Sequence, residues 1–240
     1  TALGLTFSVG DGTSDSTMTF QGTLSAINTA LASVTYTPTA NFTGTAVFTI
    51  TTNDLGNTGS GGAKSDTDTV SITVVGVNDA PVNTVPAAIQ AVVEDTPTAI
   101  AGVSIADLDA GSGQVEIQLT ASGGTMTIGT AGLTFLVGDG LADPAITARG
   151  TIAQLTAALA GLSYTPPANA SGGFTIVLRT SDLGNTGSGG PLIDIDTITL
   201  DVTAANDPPD AVDDTRTVAE DTAATLLNPL GNDSILPDTG

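Results

Sequence analysis

Apolar and polar residues alternate one by one through 5–9, 115–119 and 125–128, the spacing of a strand with one covered face. The stretches 17–20, 46–52, 67–75, 89–93, 101–105, 174–178 and 197–202 are rich in β-formers and predict further short strands. Between them the period changes. Leu24, Ile27, Leu31 and Val34 lie three and four apart, as do Ile152, Leu155, Leu159 and Leu162, and each set predicts a short amphipathic helix or helical turn. The Tyr-Thr-Pro that follows, at Tyr36 and again at Tyr164, is expected to end it, since proline cannot continue a helix. Many short strands with closely set turns argue for an antiparallel β-sandwich.

The same pattern is written twice. Asn78-Asp79-Ala80-Pro81 returns as Asn206-Asp207-Pro208-Pro209, 128 positions on, and the loop 54–62 returns letter for letter as 182–190 at the same offset. Self-similarity at so long a period describes whole domains in tandem rather than solenoid units. We read 1–77 as the C-terminal part of a first repeat, 78–80 as a linker and 81–205 as a complete repeat. A second linker follows at 206–208, and 209–240 opens a third, related repeat. The first repeat is then expected to need its missing strands, or a partner, to close its sheet.

Charge narrows the partners. Lys and Arg number 4 against 25 Asp and Glu, a net charge of −21. Nucleic acid and bare anionic membrane are poor partners for such a surface. With 40% apolar residues the chain nonetheless has the means to build a core, so the acid is read as solubility, cation binding or both. There is no Cys and no His, which leaves only carboxylate pairs, or Ser or Thr with a Lys base, for catalysis. Nothing marks a pocket around them, and the chain is read as not an enzyme. No apolar run approaches the roughly 18 residues of a membrane span, so direct membrane insertion is not expected.

The order Asn78-Asp79-Ala80-Pro81, Glu94-Asp95-Thr96-Pro97, Asp107-Leu108-Asp109-Ala110-Gly111 and Ser181-Asp182-Leu183-Gly184 resembles the bacterial cadherin-like repeats of large secreted, RTX-type adhesins and biofilm surface proteins. The third segment is similar to related tandem repeats of such proteins. The resemblance implies an all-β fold: tandem antiparallel Ig-like or cadherin-like β-sandwiches, here with one short helical turn per repeat. It also implies Ca²⁺ at the junctions, an extracellular or cell-surface location, and service as a stalk.

Calcium takes six to eight hard oxygens in flexible geometry, and each junction offers them. Strand directions in such a sandwich bring the Asp107/Asp109 turn and the Asp182 loop to the end where Asn78 and Asp79 enter. Glu94 then lies at the opposite end, with Asn206 and Asp207. The candidate ligands are Asn78, Asp79, Asp107, Asp109 and Asp182 at the first junction. At the second they are Glu94, Asn206, Asp207, Asn232 and Asp233. The bland alternative is that these acids only cap turns and linkers. An EF-hand loop starting at Asp107 is ruled out, because Ser112 and Gln118 stand where it needs Gly and Glu.

The function expected is therefore a calcium-stiffened extension repeat whose partners are neighbouring repeats of the same chain. Two alternatives stand beside it. One is lateral self-association into a filament or surface layer; the other is a sandwich that binds a glycan or protein through the loop 182–190. Only 3% of residues are aromatic and none is Trp, which disfavours sugar platforms.

Overall fold

The computed structural model describes residues 3–57, 59–206, 212–221, 223, 226 and 228. Strands dominate it, in several sheets, and the chain divides into two compact units after Val74. The class is all-β. No helix among the described residues is long and apolar enough to cross a membrane.

The first unit holds β1 (Leu5–Val9), β2 (Thr19–Gly22), α1 (Leu24–Leu31), β3 (Gly44–Asn53) and β4 (Ser65–Val74). These make two antiparallel hairpins, β1 with β2 and β3 with β4, in separate two-stranded sheets. None of the α1 residues is fully buried.

The second unit holds β5 (Val82–Thr84), β6 (Gln90–Val93), β7 (Thr98–Ala99), β8 (Ser104–Ala106), β9 (Val115–Ala121), β10 (Thr125–Thr127), β11 (Thr134–Val137), β12 (Ala145–Gly150), α2 (Ile152–Leu159), β13 (Ser163–Thr165), β14 (Gly172–Ser181) and β15 (Ile193–Thr203). Six strands form one sheet in the order β11-β12-β9-β14-β15-β6; β10-β13-β7 form a second, and β5-β8 a third. Val115, Ile117 and Leu119 of β9 are wholly buried, as the alternation predicts. They share one apolar cluster with Ile176 and Leu178 of β14, Tyr164 of β13 and Leu155 of α2. Burial of each such side chain contributes about 1.5–3 kcal/mol, so β9, with paired strands on both edges, is the centre of this core.

Two expectations need correcting. The sheet is not wholly antiparallel, because β6 pairs in parallel with β15. A parallel pair needs a long crossover, and everything from β7 to β14 supplies one. Nor does proline end the helices. In α2 the chain leaves at the C-cap Ala160, and the N–H groups of Gly161 and Leu162 turn back to the carbonyls of Ala158 and Leu159. These tight turns deliver Leu162 into the core although it lies outside the helix. At the other end Thr151 and Gln154 form a reciprocal capping box, each side chain accepting from the other's backbone N–H.

The stretch 101–105, read as a strand, is one only from Ser104; Gly102 takes φ +79 and turns the chain before it. The described residues of 212–221 are exposed and carry no strand.

Candidate metal centre

The linker residue Asn78 is built into the second unit. Its backbone N–H donates to Ser188 O at 3.0 Å, and Ser188 N–H donates to Gly76 O at 2.9 Å, a parallel bridge between chain entry and the duplicated loop. Gly187 makes this close approach workable: at φ +82, a Cβ there would stand 2.5 Å from Asn78 N. Its copy Gly59 has open space around it. Gly187→Ala is therefore expected to lower the thermal midpoint clearly more than Gly59→Ala, which bears only the backbone strain both share.

Asn78 is only 6% exposed. Its Nδ2 donates to Asp182 Oδ2 at 2.5 Å and to Gly190 O at 3.0 Å, which fixes the amide so that Oδ1 points elsewhere. That oxygen is buried and has no hydrogen-bond partner.

Next along the chain, Asp79 N–H donates to Asp109 Oδ2 at 3.2 Å. Asp107 Oδ1 closes its own turn by accepting from Asp109 N–H at 3.0 Å and Ala110 N–H at 2.8 Å. Asp109 is held from behind as well, its carbonyl accepting from Thr186 Oγ1 at 2.5 Å. After these bonds two carboxylate oxygens, Asp107 Oδ2 and Asp109 Oδ1, are also buried without a partner. A buried acceptor left unmade costs about 1–3 kcal/mol, and a charged one more. Unpartnered oxygen acceptors of this kind are what a hard cation takes as ligands, six to eight at a time.

The electrostatics agree. Burial raises the pKa of Asp107 above the usual carboxylate range. The backbone donors Ala110 and Asp109 oppose this, and the Asp109 carboxylate beside it adds to the rise. Without a cation the fold thus favours the protonated acid. That contribution to stability is full below the ordinary carboxylate pKa and lost as pH rises through the raised one. In chelator the thermal midpoint is expected to fall across that window, and bound Ca²⁺, which replaces the proton, is expected to abolish the fall.

Asp182 is held in a loop-closing hydrogen-bond network. Its Oδ1 accepts from Gly184 N–H at 2.9 Å and Leu192 N–H at 2.8 Å, and its Oδ2 from Asn78. The copy Asp54 makes the same loop bonds, with Gly56 N–H at 2.9 Å and Lys64 N–H at 2.8 Å. The shared chemistry is loop closure; what Asp182 adds is the orientation of Asn78. Sequence reading also missed Thr186 and Ser188 as the residues that grip Asp109 and the incoming chain. The letter-for-letter loop repeat was the signal available.

At the other end of the unit Glu94 is 1% exposed, and its Oε1 accepts from Ala205 N–H at 2.6 Å. Its own N–H donates to Thr203 O at 3.1 Å, and Thr203 Oγ1 donates to Val92 O at 3.2 Å. Glu94 thus clips the departing chain to the parallel β6–β15 edge. Asn206 is exposed, and Asp207, Asn232 and Asp233 lie outside the described residues. Glu94→Ala leaves the Ala205 donor unpaired; it is expected to cost about 1–3 kcal/mol and to raise hydrogen exchange at Ala205.

The remaining acids lie elsewhere. Asp194 accepts from Asn83 N–H at 2.7 Å and anchors β5. Asp143 closes the Gly138-Asp139-Gly140 turn, accepting from the N–H groups of Asp139 and Gly140. Among the described residues no group of three or more His, Cys, Asp or Glu gathers around one point, so the candidate centre is two carboxylates with an amide oxygen. No protein-family model and no curated protein matches this chain.

Proposed function

We propose that the chain is a non-catalytic extension segment of a large bacterial surface or secreted protein, built of Ig-like β-sandwich repeats stiffened by Ca²⁺ where one repeat meets the next. The observation that carries this reading is the set of three buried, unpartnered oxygens on Asn78, Asp107 and Asp109, at the point where the chain enters the second unit. Asn78, Asp107 and Asp109 would hold the ion, with Asp79 beside them. The ion would supply positive charge to acceptors that have no donor. Asp182 orients the amide, and Thr186 and Ser188 hold the entry. Fixing the entry at one end and clipping the exit with Glu94 at the other suits a mechanical role, because force would enter and leave through those two points.

Titration calorimetry with Ca²⁺, alongside thermal unfolding in Ca²⁺ and in chelator, tests this. Extracellular calcium modules bind with Kd of about 10⁻⁴–10⁻³ M, and saturation at 100 times Kd adds about 2.7 kcal/mol. Asp107→Asn with Asp109→Asn is expected to abolish both the heat and the midpoint rise. Equal midpoints in calcium and chelator for the unaltered chain would leave the acids as turn caps and end the calcium reading.

A further inference from the structure

The second unit grips its chain in the same sense where it enters and where it leaves. At the entry, Val77 pairs in parallel with Ser188, through Asn78 N–H to Ser188 O and Ser188 N–H to Gly76 O. At the exit, β15 pairs in parallel with β6, Leu200 to Thr203 facing Gln90 to Val93 in unbroken register. Among the described residues β6 is an edge strand with no other partner in its sheet. Just beyond this ladder Glu94 Oε1 accepts from Ala205 N–H at 2.6 Å, and Thr203 Oγ1 adds a bond to Val92 O at 3.2 Å. Glu94 is almost wholly buried, where a hydrogen bond is stronger than in water.

Direction decides what tension does to these contacts. A pull along the chain drags the entering segment toward its N-terminus and the leaving segment toward its C-terminus. In a parallel pair those drags oppose each other along the strands, so the rungs are loaded in shear. Parallel rungs are evenly spaced, so they share the load and fail nearly together, whereas rungs peeled from one end fail singly. Had β6 and β15 been antiparallel, the same pull would have peeled them. We propose that β6 and β15 are the mechanical clamp of the second unit, with Glu94 and Thr203 as the lock that stops peeling at the exit. The grip of Gly76 and Asn78 on Ser188 loads the entry in the same way. This rests on the reading of the chain as an extension segment under tension, and it needs no calcium.

Optical-tweezers unfolding of the full chain tests the clamp. The chain has no Cys, so handles attach only at introduced pairs. Val75→Cys with Asn206→Cys loads the ladder in shear, and Thr96→Cys with Asn206→Cys pulls both strands from the same end. The rupture force of the second unit follows the rate of forced unfolding and is expected to be at least about twofold higher for the first pair. Thr203→Val should lower that force. Tyr164→Phe, which loses one bond to Gly123 O away from the ladder, should leave it unchanged. Equal forces for the two handle pairs, or an equal drop from Thr203→Val and Tyr164→Phe, would overturn the proposal. The order of forces is expected in calcium and in chelator alike, whereas calcium binding is read from thermal midpoints, so either reading can fail without the other.

Discussion

Asp182→Ala is expected to destabilise the second unit by about 3 kcal/mol or more, since hydrogen bonds to a charged acceptor contribute about 1.5–3 kcal/mol each and three are lost. Gly184 N–H, Leu192 N–H and the Asn78 amide all lose their acceptor, and Asn78 is buried. The loss is not only local. Once the amide is free to rotate, Asn78 Oδ1 has no fixed direction, so calcium affinity should fall with stability. Asp182→Asn separates the two effects. Its oxygen still serves Gly184 and Leu192, but its NH₂ faces the NH₂ of Asn78, so much of the stability should return while calcium binding stays impaired. Asp54→Ala is the control. The backbone donors of Lys64 and Gly56 hold that carboxyl below the usual range, yet it is fully exposed, and its removal should shift the unfolding curve only slightly. A denaturant midpoint unchanged by Asp182→Ala would show that the loop is held without it.

The elements that were legible in the sequence are those whose period is local. β9 reads as a strand because Val115, Ile117 and Leu119 alternate, and α2 reads as a helix because Leu155 and Leu159 share a stripe. Pairing direction is not local. A period of two is the same whether a neighbour runs parallel or antiparallel, so nothing in 89–93 distinguishes the parallel β6. Burial is not local either. The two repeats are nearly synonymous in pattern, yet Leu159 is wholly buried while Leu31 is half-buried, because covering depends on which strands are paired.

The candidate site was half legible for a related reason. That Asn78, Asp79, Asp107 and Asp109 meet follows from strand direction and from where turns fall between strands. Which of their oxygens remain free does not follow. Asp182 and Asp107 are both acids in turns; one spends its oxygens on Gly184, Leu192 and Asn78, while the other keeps Oδ2 unpartnered. Only the hydrogen-bond geometry separates an acid that closes a loop with both oxygens from one that keeps an oxygen unpartnered.

The largest contrast is expected from a single residue type at two positions. Tyr164 is 0% exposed and Tyr36, its repeat equivalent, is 45% exposed. Truncating a buried aromatic costs about 3–5 kcal/mol, so Tyr164→Ala should bring the second unit to the margin of folding. Part of that is one bond, Tyr164 OH donating to Gly123 O at 2.8 Å, and Tyr164→Phe should cost only the roughly 0.5–1.5 kcal/mol of a neutral hydrogen bond. Tyr36→Ala, at an exposed position, should cost less than about 1 kcal/mol. The chain has 2 Tyr and no Trp, so in Tyr36→Phe the intrinsic fluorescence reports Tyr164 alone, and in Tyr164→Phe it reports Tyr36 alone. Since each Ala variant removes the fluorophore of its own unit, urea unfolding followed by hydrogen exchange at the amides of β3 and β9 assigns each cost to its own unit, and the remaining tyrosine shows that the other unit is unaffected. If Tyr36→Ala proved as damaging as Tyr164→Ala, Tyr36 would be packed as tightly in its unit as Tyr164 is in the second.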